Sequence, residues 1–433
     1  MNPRTHSTRK SSRLTRRPAI LLASIASLLA VQAGFSADAV FSCGAFTGDA
    51  DSGVGTSKTY TAIANVIGSN VTVNGATFIG SGGGLSGAGW ALGGLPNYFG
   101  GGGNQVAGPF GASVIDDLFD GFQYGGNPGT LTLSGLTTGQ TYVATMYNEA
   151  WGLGADRTQT FTSSEGAAAS YNPDALLASL FRYTFVANGS STTLNFLPKI
   201  PGNTLHVYGL SNEQAFNNTW TPASGSSWNT AANWSTGIVP NSVGSNASFS
   251  AQAGPTNVTL AGPTTTGHVQ FLGTGSYTVL GIDPLTLQAD AGGVSVLKAD
   301  AGGSHTINAP ISLASDLVKF GAGTVSLDGG VAGAKSVTVA TGTLRFGAVN
   351  SYTGGTSVHG GATLDLGGTS QSLGALSGAG SIVNNTGGTS VTTVHSGTFS
   401  GSIASGPGET AGKVKSCPKN SMLRLESLAI STA

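Results

Sequence analysis

NSYTGGTSVHGGATLDLGG, residues 350–368, decides how the second half of this chain folds. Val358, Leu364 and Leu366 stand among Thr, Ser and Gly, with no helical period and no charged run. Apolar residues alternating with small polar ones form short strands. Paired glycines let the backbone turn within two or three residues, often at positive φ. The text around it is of the same kind. VTLAG, HVQFLG, SYTVLG, LTLQAD, VSVLKAD, HTINAPISL, GTVSLDG, SVTVATGTLRFG and GALSGAGSIVNN follow one another with hardly a loop between residues 258 and 385. LQADAGGVSV and LKADAGGSHT restate each other ten residues apart. Such repetition predicts a parallel β-helix over residues 220–405, with about nine coils of about 20 residues. Trp220, Trp228 and Trp234 stand at its start, where a solenoid must cap its open core.

Composition agrees with that reading. Of 433 residues 69 are glycine, about 16% against a usual share near 7%, while 39% are hydrophobic and 9% charged. A charged disordered chain is excluded, and many short strands with tight turns are favoured. Residues 40–212 have longer alternating phrases: NVTVNGATFIG (70–80), TLTLSGL (130–136), TYVATMYNEA (141–150), RYTFVANGSSTTLNFLP (182–198) and TLHVYGL (204–210). They read as half-buried antiparallel strands of a jelly-roll-like β-sandwich, with a hairpin at Asn188-Gly189. NPDALLASLF (172–181) is the one helical candidate, with Asn172 as cap and Pro173 in the first turn. Residues 213–219 read as a linker. The expected fold class is therefore all-β, an N-terminal β-sandwich followed by a parallel β-helix.

The two ends differ from the body. Six basic residues precede the apolar run Ala19–Ala33, AILLASIASLLAVQA, which is too short to span a bilayer as a helix. Residues 1–39 read as a secretory signal peptide with its cleavage region, so the expected location is secreted or on the outer cell surface. No later segment could span a membrane as a helix. Residues 406–433 abandon the strand pattern and read as an unstructured non-repeat tail. Between Val40 and Thr410 stand 8 basic and 17 acidic residues, a net charge of about −9 that argues against nucleic acid. Cys43 and Cys417, one near each end, form no disulfide framework. Cys43 is a poor match to a lipidation site.

SDLVKFGAGTVSLDGG (315–330) and VNSYTGGTSVHGGATLDLGG (349–368) resemble the autotransporter-associated β-strand repeat of bacterial surface proteins. The matching positions are Lys319, Gly321, Gly323, Thr324 and Leu327, then Asn350, Tyr352, Gly354, Thr356, Val358 and Leu364. The family joins these halves directly, whereas this chain inserts VAGAKSVTVATGTLRFGA, about one coil. The resemblance implies a pectin lyase-like β-helix in a surface or secreted rod, often adhesin-like. Its C-terminal translocator barrel has no counterpart after Gly406.

Chemistry is sparse. Asp283, Asp290, Asp300, Asp316, Asp328 and Asp365 stand singly, whereas a glycosidase needs two carboxylates flanking the scissile bond. Asp290 and Asp300 could stack on neighbouring corners and bind calcium, although turn formation before Ala-Gly-Gly explains them as well. His268, His305, His359 and His395 have no ligand spacing and read as exposed strand residues. No metal or cofactor is expected. In the sandwich, Tyr147, Asn148, Glu149, Trp151 and Arg157 lie within eleven residues and could stack on and hydrogen-bond a sugar, or else be ordinary strand, edge and ion-pair residues. The expected function is a secreted or cell-surface, non-enzymatic structural or adhesin-like protein. Its partner would be extracellular polysaccharide or a cell-envelope surface. A carbohydrate-binding protein is the first alternative, and a polysaccharide lyase or hydrolase of β-helix type the second.

Overall fold

The structure is a computed structural model and describes residues 38–100, 108–222, 225–386, 391–404 and 423–426. The expected signal peptide lies outside them up to residue 37, as does Cys417. The chain is all-β, a sandwich followed by a parallel β-solenoid of about seven turns.

In the sandwich a seven-stranded sheet runs in the order Ala39–Ala45, Ala178–Val186, Thr141–Glu149, Gly209–Gln214, Tyr60–Asn65, Ala76–Gly80, Val71–Val73. A six-stranded sheet faces it: Ala168–Tyr171, Gln159–Ser163, Ser191–Pro198, Gly129–Ser134, Trp90–Gly93, Ser86–Gly87. Leu131, Met146, Phe161, Phe181, Tyr183, Leu194 and Phe196 fill the space between. Two local expectations are corrected here. Asn172 does cap, accepting from the Asp174 N–H, but only a single 3-10 turn follows, Pro173–Ala175. Ala178–Val186 is a strand instead, because both Ala39–Ala45 and Thr141–Glu149 pair along it. Asn188-Gly189 is not a hairpin turn either. The strands it joins belong to opposite sheets, so the chain arches across the core.

The solenoid has faces of nine, eight and five parallel strands. Residues in register from one turn to the next are Asn246, His268, Val296, Val318, Thr338, Ser357 and Ser377. The step varies from 18 residues (Thr363 to Ser381) to 29 (Thr219 to Ser248), and the solenoid has about seven turns where nine were expected. The 28-residue turn from His268 to Val296 carries the loop Ala289–Gly293. The two ADAGG copies thus occupy different corners, one before and one after strand Ser295–Ala299, and do not stack. An apolar axis runs from Trp220, Trp228 and Trp234 through Phe249, Phe271, Leu297, Leu344 and Leu364 to Phe399. The tryptophans close its first end: Trp228 Nε1 donates to the Pro240 carbonyl and Trp234 Nε1 to the Trp228 carbonyl. Leu423–Glu426, within the tail for which the sequence suggests no structure, pairs antiparallel with Val391–Val394.

The sandwich lies against the solenoid. Val143, Val186, Ala215 and Phe216 pack on Val296, Val318, Phe320 and Ala340 of the nine-stranded face and its edge. Residues 215–218 therefore do not form a free linker: Ala215, Phe216 and Asn218 are buried.

Candidate functional site

The repeat residues come first, since the sequence marks them most clearly. Strand Leu317–Phe320 alternates, with Leu317 on the solenoid axis and Val318 and Phe320 under the sandwich. Lys319 is fully buried in register with Val339, and its ammonium donates to the Gly321, Gly323 and Thr341 carbonyls. Burial pulls it down to about 7, with Asp38 opposing the fall. Gly321 turns at φ +80, and a side chain on Gly323 would strike the backbone of Asp300 and Gly303 in the preceding turn. Thr324 pairs on one side with Ser304 and on the other with Thr343. Asn350 Oδ1 accepts from the Val331 N–H at 2.7 Å, and its amide donates to Gln371 Oε1. Tyr352 shares a hydrogen bond with Thr356, which donates to the Leu373 carbonyl. A side chain on Gly354 would meet the Lys335 backbone. The polar and glycine positions of the motif thus close corners or join adjacent turns, while Leu327, Val358 and Leu364 lie in the apolar core.

In the sandwich cluster Tyr147, Asn148 and Glu149 are buried, while Trp151 and Arg157 are half-buried. Tyr147 and Asn148 lie in a strand buried at every position. Tyr147 packs edge-on against Phe46 and Phe78 and bonds Ser211, so its ring faces no solvent. Glu149 is buried, and desolvation followed by the Asp116 charge raises its carboxyl to about 7. Trp151 is half-buried against Phe99, Phe122 and His206, and its backbone N–H donates to Asp174 Oδ1. Arg157 pairs with the buried Asp174, donates to the Thr204 carbonyl and holds His206, which burial pulls down to about 3. Trp151 and Arg157 thus share Asp174 and His206 as partners, while Tyr147 is held by Phe46, Phe78 and Ser211.

Three of the four solenoid histidines are buried rather than exposed. His305 is buried and stacked on Phe271, with Nδ1 accepting from the Tyr277 N–H. His268 is buried beneath Phe216, and His359 is buried. Only His395 of the four is exposed, beside Ser372. Asp290 and Asp300 each hold a lysine, Lys58 and Lys298. Among the described residues no three His, Cys, Asp or Glu side chains converge in a way that could hold a metal ion. Nor is any helix there long and apolar enough to cross a membrane. Cys43 is a strand residue opposite Phe181, and burial pushes its thiol up to about 12.

What the sequence does not reveal is a cleft of about 880 Å³ beside the contact between sandwich and solenoid. Strand Ala39–Ala45 and residues 50–58 form one wall, and residues 288–294, 314–316 and 335–338 form the other. Asp316, Lys335, Ser336, Thr338, Ser357 and His359 present polar groups on successive turns. At its inner end Lys58 Nζ lies 2.9 Å from Glu213 and 2.5 Å from Asp290. In a chain with so few charges a lysine before a strand, as in TSKTYTAIAN, is a weak signal. Its partners lie 155 and 232 residues away.

No family model matches this chain, and no curated protein matches it. Among solved structures it is similar to the ANXUR1 extracellular domain of Arabidopsis thaliana, at 13% identity and a TM-score of 0.27, covering 36% of this chain and 48% of that one. The ANX2 ectodomain of the same plant is alike at 13% identity and a TM-score of 0.28, covering 36% and 49%. The chain spans about half the length of the structures it matches, and a likeness so slight carries no functional conclusion.

Proposed function

We infer that this chain works outside the cell as a non-enzymatic structural protein of adhesin type, a solenoid rod bearing a sandwich along one side. The observation that supports this reading is the unbroken apolar axis from Trp220 to Phe399, combined with repeat residues whose polar groups bond adjacent turns. Such stacking gives length and stiffness with no need for disulfides. The resemblance of residues 315–330 and 349–368 to autotransporter-associated repeats points the same way. The partner is an extended extracellular polysaccharide or an envelope surface, and the cleft is where it would lie. Domain junctions are common binding places, and the polar groups there repeat at the strand spacing of about 4.8 Å.

The full chain, produced with its leader, should be exported, lose that leader and make its host cells adhere to polysaccharide-coated surfaces. Lys335 is exposed on the cleft wall, so Lys335→Ala should weaken adhesion several-fold without changing thermal stability. Release of reducing ends or unsaturated sugars from pectin, alginate or chitin would replace the adhesin reading by an enzymatic one. Retention of the chain in the cytoplasm would refute both.

A further inference from the structure

Where the cleft meets the sandwich, a group of largely buried charges joins the two halves of the chain. Lys58 stands just before strand Tyr60–Asn65 of the sandwich, Glu213 lies in strand Gly209–Gln214 beside it, and Asp290 belongs to the long solenoid loop. Lys58 Nζ is 2.5 Å from Asp290 Oδ2 and 2.9 Å from both Glu213 oxygens. The side chains of Lys58, Glu213 and Asp290 retain only 17%, 10% and 21% of their exposure. Only one Glu213 oxygen accepts the lysine hydrogen bond, while buried Oε2 accepts none. Arg182 completes the group. Its Nε donates to the Ala291 carbonyl and its Nη1 to Thr145, whereas buried Nη2 has no partner. Glycines clear the space: a side chain on Gly244 would strike the Asp290 carboxylate, and one on Gly53 would strike Arg182.

We propose that Lys58 and Asp290 join in an intramolecular isopeptide bond that ties the sandwich covalently to the solenoid. The chemistry is internal condensation. Away from water the ammonium–carboxylate pair loses its solvation, so a proton can pass from Lys58 to Asp290 and leave amine beside carboxylic acid. The free Nζ attacks Asp290 Cγ, forming the C–N bond. Glu213 takes the second proton from Nζ and returns it to the Asp290 hydroxyl, which leaves as water. Arg182 Nη2 steadies the oxyanion of the tetrahedral intermediate. Ammonium plus carboxylate becomes amide plus one water, with no oxidant or other reactant consumed. Burial alone would lower the Lys58 ammonium, but Glu213 and Asp290 together raise it. Burial raises Glu213, whereas Asp290 is brought low by Lys58 and Arg182 against its own desolvation. The reactive neutral pair is therefore the minor form, which predicts slow bond formation after folding.

Intact and tryptic mass spectrometry of the purified full chain tests this. The expected result is a branched peptide joining Lys58 to Asp290, lighter by one water than its two parts, with no cleavage after Lys58. The linked chain should run faster on a denaturing reducing gel than Lys58→Ala. Glu213→Gln keeps the shape of the pocket but cannot carry the proton. It should fold, with unchanged far-ultraviolet circular dichroism, and stay unlinked. Separate, unmodified Lys58 and Asp290 peptides from folded wild-type protein, after prolonged incubation, would overturn the proposal. A full bond in folded Glu213→Gln would overturn the role given to Glu213.

Discussion

Lys319 and His305 show how a polar residue inside a solenoid can serve the fold. The lysine ammonium gathers three backbone carbonyls that a corner would otherwise leave buried and unpaired. The spacing Lys-x-Gly-x-Gly follows from it, because the glycines bring those carbonyls within reach. His305 is uncharged in the core, where burial lowers it from 6.5 to about 4 despite the nearby Asp300 carboxylate, with Lys319 adding to the fall. The unfolded chain takes up this proton near 6.5, and the folded chain only near 4. Acidification across that window therefore favours unfolding, and the stability that the neutral ring contributes at pH 7 is lost. Glu149 acts in the opposite sense, since its folded carboxyl, raised to about 7, binds a proton before the unfolded one does. The comparison must therefore be between variants. His305→Phe keeps a ring against Phe271 and should lose less stability than wild type between pH 6.5 and 4, measured by urea midpoints. Parallel curves for the two proteins would show that His305 does not titrate in this way.

At the scale of elements, the solenoid and the sandwich were both legible as strands, but what covers each sandwich strand was not, for a physical reason. Ser191–Pro198 alternates buried and exposed residues as its sequence does, because one side meets the core and the other meets water. Ala178–Val186 reads much the same but is buried throughout, since a second layer covers its outer side. Periodicity reports a strand and one buried face; it cannot report what lies on the other. The helix expected at 172–181 failed similarly, because the cap signal was real while strand pairing on both sides overrode what followed. The ADAGG copies misled because identical short texts can turn different corners. The tryptophan cap was legible, being a local need of the first coil. Trp228 is fully buried against Trp234 and Phe249, so Trp228→Ala should cost about 3–5 kcal/mol. In a stack of nearest neighbours the damage should stay near its source. Proteolysis should begin within residues 220–250, with later turns still protected. An unchanged denaturation midpoint would mean that the tryptophans merely decorate the end.

At the scale of the molecule, the contact between the two halves matters most, and it is the feature a single sequence hides best. Val143, Val186 and Phe216 meet Val296, Val318 and Phe320 across 80 to 177 residues of chain, and nothing in the local pattern pairs them. What can be read is only the anomaly that outward positions of a solenoid face are apolar. Val318 and Phe320 alternate with the inward Leu317 and Lys319, so both sides of one strand are withdrawn from water. Phe320→Asp tests the contact while leaving the axis intact, because it places a carboxylate in an apolar seam with no cation assigned to it. The variant should be made in the Glu213→Gln background, so that no Lys58–Asp290 bond can hold the halves together. The expected outcome is unchanged strand content with a larger radius of gyration in small-angle scattering. New protease cleavage should appear at residues 214–218, of which wild type buries Ala215, Phe216 and Asn218. If dimensions and cleavage both match those of Glu213→Gln alone, the apolar seam is not what keeps the sandwich on the rod.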